Sequence, residues 1–160
     1  MAKEQARQVG GPDGNVVLDL FVLHQRVGDL MEVALDGTGI RPAEYAVYSQ
    51  LAAAALTPRE LSARLGVTPS TLTGLLEALA RREHIVRERD PADGRSYRVR
   101  LTDAGRDQHR NALGGFRRML GRYESRLPVE PSVVRELLTT LDQTAARVVD
   151  ELSSDSGYRP

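Results

Sequence analysis

The chain has 160 residues, 41% apolar and 28% charged, with 22 basic side chains against 22 acidic ones. That length supports one domain with a real core, and zero net charge leaves any affinity for nucleic acid to the distribution of charge. Cysteine is absent, which excludes disulfides, thiol catalysis, cysteine-based zinc sites and a thiol redox switch.

Trp is also absent and aromatics are scarce, so the core has to be built from Leu, Val and Ala. No apolar run approaches the roughly 18 residues of a membrane span, and the N-terminus has no signal-like apolar segment. The expected location is the cytoplasm, with no membrane partner. Lys3 is the only lysine, so the basic chemistry is arginine's: a planar fork suited to phosphates and base edges, although codon usage alone also produces such a bias.

Residues 1–14, with "GGPDG" at 10–14, are polar and Gly-rich and read as a disordered arm. Residues 153–160 read as a flexible tail. Residues 15–152 then form a single domain. From Val16, the steps to Leu20, Leu23, Val27, Leu30 and Ala34 are helical, and a second row of Val17, Phe21, His24, Met31 and Leu35 flanks them. This first helix, about 16–36, is apolar over more than one face. "DGTG" at 36–39 ends it.

Pro42 starts a second helix expected to reach Ala55. Thr57, Pro58 and Glu60 make a capping box for a short third helix, and Gly66 closes it. Only Val67 precedes the next start signal, Thr68-Pro69, whose helix continues to about Arg82. Two short-linked helices of this kind form a helix-turn-helix, with Leu61, Leu65, Val67, Leu72 and Leu75 inside and the small Ser62 where the helices cross.

Ile85–Arg89 and Tyr97–Leu101 read as two strands around "DPADGRS". Between Arg81 and Arg100 stand seven Arg against Glu83, Glu88, Asp90 and Asp93. Thr102 caps a long helix to about Leu127, weakened by Gly114-Gly115, and a last helix spans about Ser132–Leu152. The very apolar terminal helices are most simply buried against each other and against a second copy of the chain.

The fold class expected is therefore mainly α with a small β-hairpin wing: a winged helix-turn-helix over about 42–102, and a helical dimerisation region from about 16–36 and 103–152. In such a motif the second helix lies in the major groove of double-stranded DNA. Ser70, Thr71 and Thr73 are the candidate contacts there, with Gly74 leaving space. Thr68 either caps the helix or joins them. In the wing, Arg95 beside Gly94 is placed for a minor groove, where narrow A·T-rich stretches attract arginine. Asp93 can orient it. Arg89, Arg98 and Arg100 either touch phosphates or pair with Asp90 and Asp93.

An enzyme is not expected. "GGPDG" lacks the strand and helix that a phosphate loop needs, and His24, His84 and His109 form no compact spacing with Ser or paired carboxylates. No cofactor and no metal are implied. Asp107 and His109 are two apart, off a common helical face, which leaves open only a metal site assembled between subunits. A winged helix used for protein binding is the other alternative.

Asp93, Arg95, Leu101 and Thr102 stand as Asp-x-Arg, five residues, then Leu-Thr. With the preceding "TPSTLTGLLEALARREHIVRERDPADGRS", they resemble the recognition helix and wing signature of MarR-family transcriptional regulators, and the resemblance spans about 16–152. One departure is Gly74, where many members carry a basic residue. The resemblance implies a homodimer whose first and last helices interlock, repressing transcription from a pseudo-palindromic operator. It also implies release by a small, often phenolic or anionic, ligand between the dimerisation region and the winged helix. His24, Met31, Tyr45, Tyr48 and Phe116 are the residues able to line that cleft, or are ordinary core. Without cysteine, direct thiol oxidation cannot be the signal.

Overall fold

The computed structural model describes residues 9–11, 14–89 and 96–156. In chain order the elements are α1 (Val16–Leu35), α2 (Pro42–Ala53), α3 (Pro58–Leu65), α4 (Pro69–Arg81), β1 (Ile85–Arg89), β2 (Tyr97–Leu101), α5 (Asp103–Glu124) and α6 (Pro131–Ser156). The chain divides into two compact units, Met1–Met119 and Leu120–Pro160.

In the first unit, α2, α3, α4 and the hairpin surround one aliphatic core. Val47, Tyr48, Leu61, Leu72, Leu76, Leu79, Val99 and Leu101 are at most 2% exposed. Of the expected helix-turn-helix core, Leu61 and Leu72 are buried, while Leu65, Val67 and Leu75 are half-buried against it. Leu76 and Leu79 go deeper than Leu75, because they lie directly opposite the solvent face of α4.

The strands pair antiparallel with Ile85 opposite Leu101 and Arg89 opposite Tyr97. Val99 also exchanges both backbone hydrogen bonds with Leu56, at 2.8 and 3.0 Å. This pairing explains why α2 ends at Ala53 rather than Ala55. Ala54 is extended, at φ −162° and ψ 159°, so that Leu56 can reach β2. Tertiary pairing here outweighs alanine's helix propensity.

Two backbone approaches fix α5 in this unit. Thr102 caps it, accepting from the Gly105 amide at 3.0 Å while its own hydroxyl donates to the Glu83 carbonyl at 2.8 Å. A Cβ on Gly105 would lie 2.0 Å from the His84 carbonyl oxygen, and one on Gly115 would lie 2.2 Å from that of Ala34. Gly115 is thus the contact point of α5 with α1, not merely a weak helix position. α4 closes with the two hydrogen bonds of a Schellman turn, His84 N–H to Leu79 O and Glu83 N–H to Ala80 O. Glu83 occupies the left-handed position, at φ 58°, where glycine is usual.

α1 buries only Leu35; Val16, Val17, Phe21, Val27 and Val33 are exposed. In the second unit none of the described side chains of α6 is buried, and Val133, Leu137, Leu138, Val148, Val149 and Leu152 are exposed. α6 also runs to Ser156, so residues 153–156, read from sequence as tail, are helical. The N-terminal arm lies largely outside the described residues, though the Gly10 amide donates to Asp19 Oδ1 at 3.0 Å. Among the described residues, no helix is long and apolar enough to cross a membrane.

Candidate nucleic-acid interface

The helix-turn-helix is set by its caps. Glu60 N–H donates to Thr57 Oγ1, while the Thr57 amide and hydroxyl both donate to Glu60 Oε2, at 2.7 and 3.0 Å. Those two donors, the amide first, hold the Glu60 carboxyl below its ordinary range, with help from Arg98. Gly66 ends α3 at φ 63°. Ser62 then ties the turn from both sides: its hydroxyl donates to Val67 O at 2.5 Å and its carbonyl accepts from Val67 N–H at 3.2 Å. The small residue expected at the crossing is a clamp as well as a spacer.

Thr68 caps α4, accepting from the Thr71 amide at 3.2 Å. Its hydroxyl also lies 3.0 Å from that of Ser70 and 2.9 Å from that of Thr71. The Thr73 hydroxyl donates back to Pro69 O at 2.8 Å. Thr68, Ser70, Thr71, Thr73 and Gly74 are all exposed. Ser70, Gly74, Glu77 and Arg81 lie opposite buried Leu72, Leu76 and Leu79, so α4 presents a polar stripe outward.

Beside that stripe stands the hairpin. Tyr97 is half-buried, and Val99 and Leu101 are buried, as the alternation requires. Arg100 pairs with Glu88 at 2.5 Å, and Arg87 lies over the Tyr97 ring at 5.2 Å. Arg89 is exposed. The Arg98 guanidinium donates to Ala55 O at 3.2 Å and lies 3.7 Å from Glu60. The bridge between Leu56 and Val99 brings the α2–α3 linker against β2, and Arg98 is drawn onto that linker. Asp93 and Arg95, with Asp90, lie outside the described residues. A cavity of about 270 Å³ opens between α3, α4 and the strands, lined in part by Arg59, Thr73, Arg87 and Tyr97.

The candidate ligand residues do not stay together. Tyr45 is buried and packs on Phe116, with ring centroids 4.7 Å apart, and Met31 and Phe116 pack against the same core. Tyr48 is fully buried with its hydroxyl 2.5 Å from His84 Nδ1. His24 is exposed on α1 and needs no buried partner. Sequence reasoning missed His109, which stacks on Tyr45 at 5.7 Å. Burial first, then the nearby Arg117, pushes the His109 pKa down. It also missed the polar pair beneath α4: Glu44, 4% exposed, accepts from Arg82 at 3.2 Å and from the Arg41 amide at 3.0 Å. No periodicity marks such pairs, since Glu44 and Arg82 are 38 positions apart and Tyr45 and His109 are farther apart still. Among the described residues, no group of three His, Asp or Glu is placed to hold a metal.

A MarR-family profile matches residues 38–96, the span from the α2 entry through α3 and α4 to the end of the hairpin loop. The regulator CouR from Rhodococcus jostii RHA1, solved bound to p-coumaroyl-CoA, is 31% identical. Its match covers 79% of this chain and 92% of that one, with a TM-score of 0.65. The chain belongs to the MarR family.

Its α3–α4–hairpin arrangement is accordingly the family's winged helix-turn-helix, and the protein is a MarR-family transcriptional regulator. The transcriptional repressor YetL from Bacillus subtilis (strain 168) is 32% identical over 101 residues, covering 61% of this chain and 60% of that repressor's length. The M. tuberculosis regulator MosR, solved with DNA, shares the fold at TM-score 0.75 and 24% identity, over 84% of this chain and 98% of that one.

Proposed function

We propose that this MarR-family regulator is a homodimeric repressor that binds double-stranded DNA at a pseudo-palindromic operator and is released by a small aromatic, anionic ligand. The observation that carries DNA binding is the outward polar stripe of α4 beside an arginine-rich hairpin. A helix of this kind fits a major groove about 12 Å wide, and the wing then falls over the neighbouring minor groove. Thr68, Ser70, Thr71, Thr73 and the bare backbone at Gly74 face the major groove. Arg89 and Arg95 reach the flanking backbone and minor groove, with Asp93 orienting Arg95. Arg98 anchors the wing to the α2–α3 linker.

The exposed apolar side chains of α1 and α6 support dimerisation, since that much uncovered Val, Leu and Phe is costly in water. Two α4 helices related by a dyad then read half-sites about one helical turn apart. The ring cluster of Tyr45, Phe116 and His109 next to Arg117 supports the ligand class: flat apolar walls with one cation nearby. The 31%-identical CouR, solved with p-coumaroyl-CoA, supports the same class. Such a ligand releases DNA only by binding the two states of the dimer unequally.

The test is a mobility-shift titration with duplex DNA at several salt concentrations. Affinity should fall steeply with salt through counterion release, and Arg95→Ala should remove most of it while the dimer mass persists. Unchanged affinity in Arg95→Ala would sink the wing assignment, and salt-independent binding would favour a protein-binding role for the winged helix.

A further inference from the structure

α4 contains no Arg, Lys, Asn, Gln or His between Thr68 and Ala80. The side chains that most often read bases by paired hydrogen bonds are therefore missing from the first three turns of the recognition helix, and Arg81 stands only at its far end. Its hydroxyls are also engaged within the helix. Those of Ser70 and Thr71 sit on the Thr68 cap, at 3.0 and 2.9 Å, and that of Thr73 donates to Pro69 O at 2.8 Å. With its proton committed to a carbonyl one turn back, Thr73 offers a base no donor; what it presents is a hydroxyl oxygen able only to accept, and a γ-methyl. A Cβ on the adjacent Gly74 would meet none of the described residues within 4 Å, so the helix surface there is bare backbone.

The major-groove feature that matches an apolar, donor-poor surface is the C5-methyl of thymine. We propose that Thr73 is a specificity-determining residue that reads a thymine methyl in each half-site. Gly74 provides the close approach that brings the helix against it. This rests on the DNA-binding reading above. It makes sequence choice by α4 a matter of apolar contact, while affinity comes from the arginines of the wing.

The experiment begins with selection of duplexes from a random-sequence pool by the full-length protein. Each thymine of the selected duplex is then replaced in turn by deoxyuridine, which keeps base pairing and removes only the methyl. One position per half-site should lose about fourfold in affinity, the worth of one buried methyl-sized group. In Thr73→Ser, which keeps the hydroxyl and deletes the methyl, that loss should vanish. In Thr73→Val, which keeps a methyl and deletes the hydroxyl, it should persist. Selected, salt-sensitive binding without a uracil penalty would overturn this inference alone, as would an equal penalty in wild type and Thr73→Ser. A protein that binds no duplex would overturn the DNA-binding reading and this inference with it.

Discussion

The phenol oxygen of Tyr48 on α2 lies 2.5 Å from Nδ1 of His84, the last residue of the turn between α4 and β1. Tyr48 is fully buried, and next to the pair Glu44 holds Arg82. Burial, then the Arg82 cation, pushes the His84 pKa down from its ordinary 6.5, with Glu44 opposing. Burial likewise raises the Tyr48 pKa. The junction between recognition helix and wing is thus held by a neutral imidazole bonded to a neutral phenol.

That arrangement fixes the sign of a pH effect. The folded chain binds a proton at His84 less readily than the unfolded chain does. Its contribution to stability is complete above the ordinary value of 6.5 and is lost as the pH falls below it toward the lowered folded value. His109, lowered in the same direction, adds to the same window. Chemical denaturation between about pH 5 and pH 7.5 should show stability rising with pH, and His84→Gln should flatten the rise. A profile unchanged by His84→Gln would contradict it.

Three glycines of α5 should respond to alanine with opposite signs. Gly105→Ala and Gly115→Ala push a methyl into the backbone carbonyls of His84 and Ala34, and each should cost about 1–3 kcal/mol or more. Among the described residues, a Cβ on Gly114 would meet only the flexible end of Arg118, at 3.5 Å. Gly114→Ala should therefore stabilise the helix by about 0.5–1 kcal/mol. Urea midpoints of the three variants read this out.

Glu83→Gly tests the turn that launches the wing. The left-handed backbone at φ 58° strains a side-chain-bearing residue but not glycine. Because the Glu83 carbonyl, not its side chain, accepts from Thr102, nothing needed by α5 is lost. The substitution should raise stability by about 0.5–1 kcal/mol, seen as a higher thermal midpoint. A lower midpoint would mean that the glutamate side chain itself holds the turn.

The oligomeric state is testable by mass action. If α1 and α6 are covered by a second copy, the thermal midpoint should climb with protein concentration. Leu137→Glu or Phe21→Glu should shift the solution mass toward monomer. A monomeric mass in the wild type, with a concentration-independent midpoint, would refute the dimer.

Local signals carried most of the architecture. Thr57-Pro58 with Glu60, Gly66, Thr68-Pro69 and Thr102 marked helix ends because caps are satisfied within three or four residues of sequence. The alternation Tyr97, Val99, Leu101 marked a strand because its buried side repeats every second residue. Those features, with the spacing of Asp93, Arg95, Leu101 and Thr102, made the winged helix and its family resemblance legible from the chain alone.

What joins distant residues was decided only in three dimensions. Leu56 ends α2 early because Val99 takes its backbone hydrogen bonds. Arg98 gains partners on the α2–α3 linker because Ala55 and Glu60 come beside β2. His84 and His109, unremarkable in sequence, become buried partners of Tyr48 and Tyr45, while His24 faces solvent. Gly115 changes from a weak point in a helix to the contact with Ala34. Caps and periodicity are properties of neighbouring residues and are written locally. Buried hydrogen bonds, ion pairs and close backbone approaches depend on which segments the core brings together, and only the folded chain specifies that.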